Sequence, residues 1–143
     1  MIQCLILEDE NAAQEIVQSY IDKTPFLSSL GVYESGLDIP LDILEHADVL
    51  FLDIQLPEIN GLSFLKTIKN PPKVIVTTAY SNNAIEAFEE AVIDYLVKPF
   101  SYSRFFKAVS RVRDLHIEKQ NSEQLFLYAD KTIYKTLQMT YCF

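Results

Sequence analysis

The stretch V-L-F-L-D-I-Q-L-P-E-I-N-G, residues 49–61, decides the fold of this chain. Its first four residues are apolar without polar alternation, which is typical of a short strand buried on both faces. The run ends on Asp53, and Pro57 and the Asn60-Gly61 turn prevent the strand from continuing. Asp53 is therefore predicted at the carboxyl end of a central parallel strand, where open α/β sheets bind their ligands. The stretch fits equally well an aspartate that only caps its own loop.

The composition indicates one domain with a hydrophobic core. The chain has 143 residues, of which 49% are hydrophobic, so it can bury a core without additional stabilisation by disulfides or metals. Its net charge of −8 argues against direct contact with nucleic acid, which requires a basic face. Cys4 and Cys142 lack the spacing of a disulfide framework or zinc site. Because no leader or membrane-length apolar run is seen, we expect a cytoplasmic protein that does not contact the membrane.

Apolar periodicity predicts five strands that alternate with five helices. The predicted strands are residues 2–7, 26–33, 49–53, 73–78 and 95–97. The predicted helices are residues 12–21, 37–46, 62–69, 83–91 and 102–115, with Asn11 and Ser101 capping the first and last. This alternation predicts a doubly wound, five-stranded parallel sheet with helices on both faces. The corresponding fold class is flavodoxin-like, with strand order 2-1-3-4-5.

Polar side chains stand at four of the five strand ends. Glu8 and Asp9 follow the first strand, Asp53 ends the third, Thr78 ends the fourth and Lys98 follows the fifth. Each could be an ordinary loop acid, strand threonine or surface lysine. Because parallel strands share one carboxyl end, however, the whole set is expected to converge there.

A converging set of this kind favours phosphoryl chemistry. Clustered carboxylates repel one another and need a cation, and a few carboxylates with water and phosphate suit Mg²⁺. A lysine and a hydroxyl can bind phosphate oxygens. Asp53 could then act as a nucleophile that becomes an aspartyl phosphate.

These motifs together resemble the receiver domain of two-component response regulators. The resemblance covers residues 1–118 and rests on L-E-D-E at 7–10, D-x-x-L-P-x-x-N-G at 53–61, T-A at 78–79 and K-P-F at 98–100. It implies that a sensor histidine kinase phosphorylates Asp53, in a signalling domain that turns over no external substrate. It also implies an Mg²⁺ site formed by Glu8, Asp9, Asp53 and the main-chain carbonyl of Gln55.

The resemblance implies a conformational switch as well. Thr78 and Tyr95 would form the switch pair, and Lys98 would contact the phosphoryl group. Without the motif, Tyr95 would be interpreted as a core aromatic residue. The face made by the fourth predicted helix, the fifth strand and the fifth predicted helix would then form a homodimer or bind an output domain. Glu8 stands where many members have aspartate, so it is expected to reach the metal through water.

A narrower resemblance is to LytTR-type transcriptional regulators, in which a DNA-binding domain follows the receiver. It rests on T-T-A-Y at 77–80, A-I-E-A-F-E at 84–89 and D-Y-L-V-K-P-F at 94–100. Residues 119–124 are predicted to be a linker, and residues 125–143 a β-prone tail similar to the opening strands of that output domain. The tail is too short for a complete domain, so the chain is either a truncated regulator or a single-domain receiver with a tail. We expect the truncated regulator, which would contact DNA only through the missing part.

Three other functions fit the sequence less well. An aspartate-nucleophile phosphatase would have an acid two residues after Asp53, where this chain has Gln55. A nucleotide or flavin binder would have a glycine-rich phosphate loop, and the chain has only 3 glycines. A phosphate-independent interaction module of the same fold is the main alternative, although such a module has no need of the complete acid, hydroxyl and lysine set.

Overall fold

The central feature of the fold is a parallel sheet of five strands in the order β2-β1-β3-β4-β5. The computed structural model describes residues 1–56, 59–79 and 91–141. The strands are β1 (Ile2–Leu7), β2 (Leu27–Tyr33), β3 (Val49–Asp53), β4 (Lys73–Thr78) and β5 (Val92–Val97). The predicted fold class and strand order are therefore confirmed, and β5 begins three residues earlier than predicted.

Four α-helices lie among the described residues. They are α1 (Asn11–Lys23), α2 (Leu41–His46), α3 (Gly61–Lys66) and α4 (Tyr102–Tyr141). α4 occupies the position of the fifth predicted helix, because residues 83–90 of the fourth predicted helix fall outside the described residues. Within the part of the chain that the structure covers, no helix is both long enough and apolar enough to cross a membrane.

Both faces of the sheet carry apolar core, which explains the continuous apolar run of β3. Alternate strand residues face opposite sides, so Phe51 packs with α1 and the start of α4, whereas Leu50 and Leu52 pack with α2 and α3. All five residues of β3 are buried, which confirms the prediction for Val49–Leu52, whereas Asp53 was expected to be exposed. Cys4 is a core residue in β1, and burial raises the pKa of its thiol to about 12.

The predicted helix at 37–46 is wrong in its first half. The chain forms a short 3₁₀ turn at Gly36–Asp38, and α2 begins only at Leu41. Pro40 precedes it with extended backbone dihedrals of φ −61° and ψ 142°. A residue before proline is disfavoured in the helical region, so Ile39 interrupts the helix. Leu37 and Leu41 consequently point outward, each 75% exposed.

Two helix ends also differ from the prediction, and one agrees with it. Glu10 rather than Asn11 is the N-cap of α1, and its side chain makes no capping hydrogen bond. α3 ends at Lys66, three residues early, where the Thr67 hydroxyl donates to the Phe64 carbonyl. Ser101 caps α4 as predicted, because its Oγ accepts from the Arg104 N–H at 3.1 Å.

The predicted linker at 119–124 and the predicted strands after it are wrong. α4 continues from Tyr102 to Tyr141 through both segments. No glycine or proline occurs in the sequence after Pro99, so no residue there breaks a helix once it has started. The chain divides into two compact units, Met1–Val112 and Arg113–Phe143, and the sheet belongs to the first.

Candidate functional site

Three carboxylates meet at the carboxyl end of the sheet. One oxygen from each of Glu8, Asp9 and Asp53 lies within 4.8 Å of the others. The pairing of β1 with β3 brings them together, because Leu7 lies beside Leu52 in the ladder. Glu8 and Asp53 are buried, whereas Asp9 is exposed. The predicted convergence of these acids is therefore confirmed.

The loop after β3 holds Asp53 in place. Its Oδ1 accepts a hydrogen bond from the Gln55 N–H at 2.9 Å. The Gly61 N–H donates to the Ile54 carbonyl at 3.2 Å, which brings the start of α3 against the same loop. Asp53 thus caps its own loop, as one interpretation of the deciding stretch predicted, and it also belongs to the acid cluster. Its role in binding a ligand stays a prediction.

Lys98 joins the cluster from the end of β5. Its backbone N–H donates to the Thr78 carbonyl at 2.7 Å. Its ammonium forms an ion pair with Glu8 and a longer one, at 3.4 Å, with Asp53 Oδ2. Burial lowers the pKa of Lys98, but the hydrogen bond to Glu8 and the charge of Asp53 outweigh that effect, so the pKa is raised. Lys98 is therefore charged and forms ion pairs with two buried acids.

Glu8 is a buried carboxyl group whose pKa is raised. Burial, the hydrogen bond with Asp53 and the negative charge of Asp53 raise its pKa to about 7, although Lys98 lowers it. Its Oε1 pairs with Lys98, and its Oε2 accepts from the Glu10 N–H at 3.3 Å. From the sequence, Glu8 was expected to contact the metal through a water molecule, and its direct ion pair with Lys98 was not predicted.

We expect the raised pKa of Glu8 to make folding stability depend on pH. The folded state binds this proton more tightly than the unfolded state, whose carboxyl has a pKa near 4.5. The associated stabilisation is present below that value and is lost as the pH rises through about 7. The free energy of unfolding contributed by Glu8 should fall by up to about 3 kcal/mol across this range.

Urea unfolding between pH 4.5 and 8 measures this effect as the difference between the wild type and a Glu8→Gln variant. The variant should gain stability relative to the wild type as the pH rises. Glu15→Gln, at an exposed position on α1, provides the control and should follow the wild type. A constant difference between Glu8→Gln and the wild type over the whole range would contradict the assignment.

Thr78 and Tyr95 lie on adjacent strands near this end of the sheet. Thr78 is fully buried and pairs with Val97 in the β4–β5 ladder, and Tyr95 pairs with Val76 two residues earlier. The Tyr95 side chain is 41% exposed, so it is not the core aromatic that the sequence alone would suggest. Gln55 is exposed beside Asp53, and the role of its carbonyl stays a prediction.

A second ionic cluster was not predicted from the sequence. Asp94 of β5 is buried and forms ion pairs with Arg104 and Arg111 of α4. The available signal was an acid inside an otherwise apolar strand, because a buried carboxylate requires a cationic or hydrogen-bonding partner.

The donor set of the main site fits a magnesium ion. Mg²⁺ prefers carboxylate oxygens, and it usually keeps several water ligands. Glu8, Asp9 and Asp53 supply three such oxygens, and the exposure of Asp9 leaves one side open to water. Burial and the neighbouring Asp53 raise the pKa of Glu8, and a bound cation would stabilise the charged form of these acids.

Comparisons with known proteins identify the family of this chain. The family model described as the response regulator receiver domain matches residues 4–110. The sensory transduction protein LytT of Bacillus cereus is 30% identical over 129 residues, which are 87% of this chain and 50% of that protein. The transcriptional regulatory protein BtsR of Escherichia coli is 34% identical over 116 residues, which are 79% of this chain and 48% of that protein.

The chain thus spans about half the length of these curated relatives. Among solved structures, the response regulatory domain of protein mrkE from Klebsiella pneumoniae is similar, with a TM-score of 0.68 and 29% identity. That match covers 80% of this chain and 97% of the other. The family predicted from the motifs is confirmed: the chain belongs to the response regulator receiver domains.

Proposed function

We propose that this receiver domain accepts a phosphoryl group on Asp53 from the phosphohistidine of a sensor histidine kinase. The observation that carries the proposal is the grouping of the Glu8, Asp9 and Asp53 carboxylates within 4.8 Å, with the Lys98 ammonium against two of them. A nucleophilic carboxylate, a set of oxygen ligands for a cation and a fixed positive charge are the parts that phosphoryl transfer requires.

The transfer itself involves one bond formed and one broken. An oxygen of Asp53 bonds to phosphorus while the bond from phosphorus to the kinase histidine nitrogen breaks, and that imidazole leaves with the electron pair. The protein contributes positioning and charge rather than further covalent chemistry. The Gln55 N–H fixes the rotation of the Asp53 carboxylate, so the second oxygen, Oδ2, is directed towards Lys98.

The remaining groups act on the phosphoryl oxygens. Mg²⁺, held by Glu8, Asp9, Asp53 and the main-chain carbonyl of Gln55, would supply neutralisation of their negative charge. Lys98 would exchange its pairing with Glu8 for a phosphoryl oxygen, and the Thr78 hydroxyl would donate to another. Thr78 and Tyr95 would then act as the switch pair between the site and the surface.

Phosphorylation would be read out through the face that contains β5 and α4. In this proposal the face forms a homodimer or binds an output domain, and the domain works in the cytoplasm. The relatives are named a sensory transduction protein and a transcriptional regulatory protein, which supports a role in transcription. DNA would be contacted only by an output domain, since this chain has a net charge of −8.

Intact-mass spectrometry after incubation with Mg²⁺ and acetyl phosphate tests the proposal. The wild type should gain the mass of one phosphoryl group, and an Asp53→Asn variant should gain none. Asp22→Asn, at an exposed position on α1, is the matched control and should be modified like the wild type. Size-exclusion chromatography of the same samples measures whether modification changes the oligomeric state.

The other outcomes are equally informative. Modification of Asp53→Asn to the wild-type extent would place the acceptor elsewhere. If the wild type gains no mass and does not bind beryllofluoride, the proposal is wrong and the phosphate-independent interaction module is favoured.

A further inference from the structure

The second ionic cluster is built around a carboxylate with several polar partners. Asp94 is only 8% exposed although it lies on β5, the last strand of the described sheet. Arg104 donates to both carboxylate oxygens, with Nη1 at 2.9 Å from Oδ2 and Nη2 at 2.8 Å from Oδ1. Such a bidentate pair is the strongest common geometry for arginine and a carboxylate.

The same guanidinium also contacts the residue proposed as the switch. Arg104 Nη2 lies 3.1 Å from the carbonyl oxygen of Tyr95 and donates to it. The Tyr95 N–H in turn donates to Asp94 Oδ1 at 2.8 Å. Both polar groups of the Tyr95 backbone are therefore tied, directly or through Asp94, to one side chain in the first turn of α4.

Arg111 provides an internal contrast. Within the described part of the chain it forms one ion pair, with Asp94 Oδ2 at 3.3 Å, and its side chain is 50% exposed. Burial raises the pKa of Asp94, but Arg104, the Tyr95 N–H and Arg111 lower it by more, so the carboxylate is charged. Of the two arginines, Arg104 alone is described as contacting the Tyr95 backbone.

We propose that Arg104 is a positioning residue for Tyr95, and that the Arg104–Asp94 pair fixes the Tyr95 backbone to α4 so that movement at this end of β5 reaches the helix. The inference rests on the proposed function, because it concerns how the switch is transmitted. Lys98 follows Tyr95 by three residues, so a change in the position of Lys98 acts on the same short segment. A rigid connection from that segment to α4 turns a local change into a change of surface.

Nuclear magnetic resonance can test the inference through the amide exchange rate and the ring signals of Tyr95. The two signals are compared in the wild type and in the variants Arg104→Met, Arg104→Lys and Arg111→Met. Without any phosphate mimic, the Tyr95 amide should exchange with solvent about tenfold faster in Arg104→Met, because Asp94 is no longer held against it. Its ring signals should shift in Arg104→Met, less so in Arg104→Lys, which keeps the charge but not the bidentate geometry. Arg111→Met should match the wild type in both measurements.

Urea unfolding of each variant provides the reference for global stability. A change at Tyr95 that exceeds the change shared by core amides of β1 and β3 supports a positioning role. The inference is overturned if Tyr95 exchange and ring signals in Arg104→Met equal those of the wild type, or if Arg111→Met alters them as much. If Arg104→Met does not fold, the comparison of Arg104→Lys with Arg111→Met decides the question. The same two measurements are used, the exchange of the Tyr95 amide and the Tyr95 ring signals.

Beryllofluoride separates this inference from the proposed function. If wild-type Tyr95 signals do not respond to beryllofluoride and Mg²⁺, the proposed switch fails, whereas the measurements without the mimic still decide whether Arg104 positions Tyr95. If the wild type responds, Arg104→Met should bind the mimic at Asp53 but transmit a smaller change to the signals of α4.

Discussion

Replacing Gly61 by alanine is expected to destabilise the domain by about 3 kcal/mol or more, since overpacking against backbone is among the costliest single changes. A Cβ atom at this position would overlap the carbonyl oxygen of Asp53 and lie 3.0 Å from the Ile54 Cα. These are backbone atoms, so no side chain can rotate away to make room. The glycine is required by close approach and not by a left-handed backbone, because Gly61 does not have a positive φ.

The same substitution should damage the site more than its stability cost suggests. Relief of the overlap requires that the Asp53 carbonyl or the start of α3 move, and the carboxylate moves with its backbone. A displacement near 1 Å in a reacting group can cost about a hundredfold in rate. We therefore expect Gly61→Ala to be modified by acetyl phosphate at least tenfold more slowly than the wild type, under conditions where both are folded.

Ser63→Ala is the matched control for both measurements. Ser63 lies on the same helix and is exposed, so its substitution should change stability by less than about 0.5 kcal/mol. Urea unfolding gives the stability of both variants, and intact mass against time gives the rate. If Gly61→Ala unfolds at the wild-type urea midpoint, the close approach of α3 to Asp53 is wrong.

Local sequence patterns were sufficient to predict the sheet and the acid cluster. Val49 to Leu52 form an apolar run bounded by an acid and turn residues, and such a run has few alternatives to a buried parallel strand. Once the strands are parallel, Glu8, Asp9 and Asp53 must lie at the same end of the sheet. Their clustering therefore follows from topology and needs no knowledge of side-chain conformation.

The failures have a common physical origin. The ion pairs of Lys98 with Glu8 and of Arg104 with Asp94 join residues 90 and 10 positions apart, so they depend on register and on rotamers. The strand propensity of residues 125–141 also led to a wrong prediction, because their aromatic and β-branched side chains favour strands. A helix that has already nucleated at Tyr102 continues at little further cost when no breaker follows.

Replacing Lys98 by methionine should cost about 2 kcal/mol or more at pH 8, because it leaves buried acids without their cation. The side chains of Glu8 and Asp53 are 3% and 6% exposed, and Lys98 contacts both. Methionine keeps most of the length and apolar volume of lysine, so the loss is mainly one of charge. Lys107→Met, at an exposed position on α4, should be close to neutral and serves as the control.

The cost of Lys98→Met should depend on pH in a direction that the pKa of Glu8 determines. Without Lys98 the folded-state pKa of Glu8 rises above about 7, because the lysine is what lowers it. The deficit should therefore be largest at pH 8 and should shrink as the pH falls towards 4.5 and Glu8 takes up a proton. A deficit that grows on acidification would contradict this electrostatic account.

Two further measurements separate the charge of Lys98 from its packing. In a Glu8→Gln background the cost of Lys98→Met should fall below about 1 kcal/mol, since one of the two buried acids is already neutral. Mg²⁺ should restore stability to the single variant, by about 2.7 kcal/mol at a hundred times its dissociation constant. Equal losses in the single and double backgrounds, with no response to Mg²⁺, would show that Lys98 acts by packing and that the acids do not form a cation site.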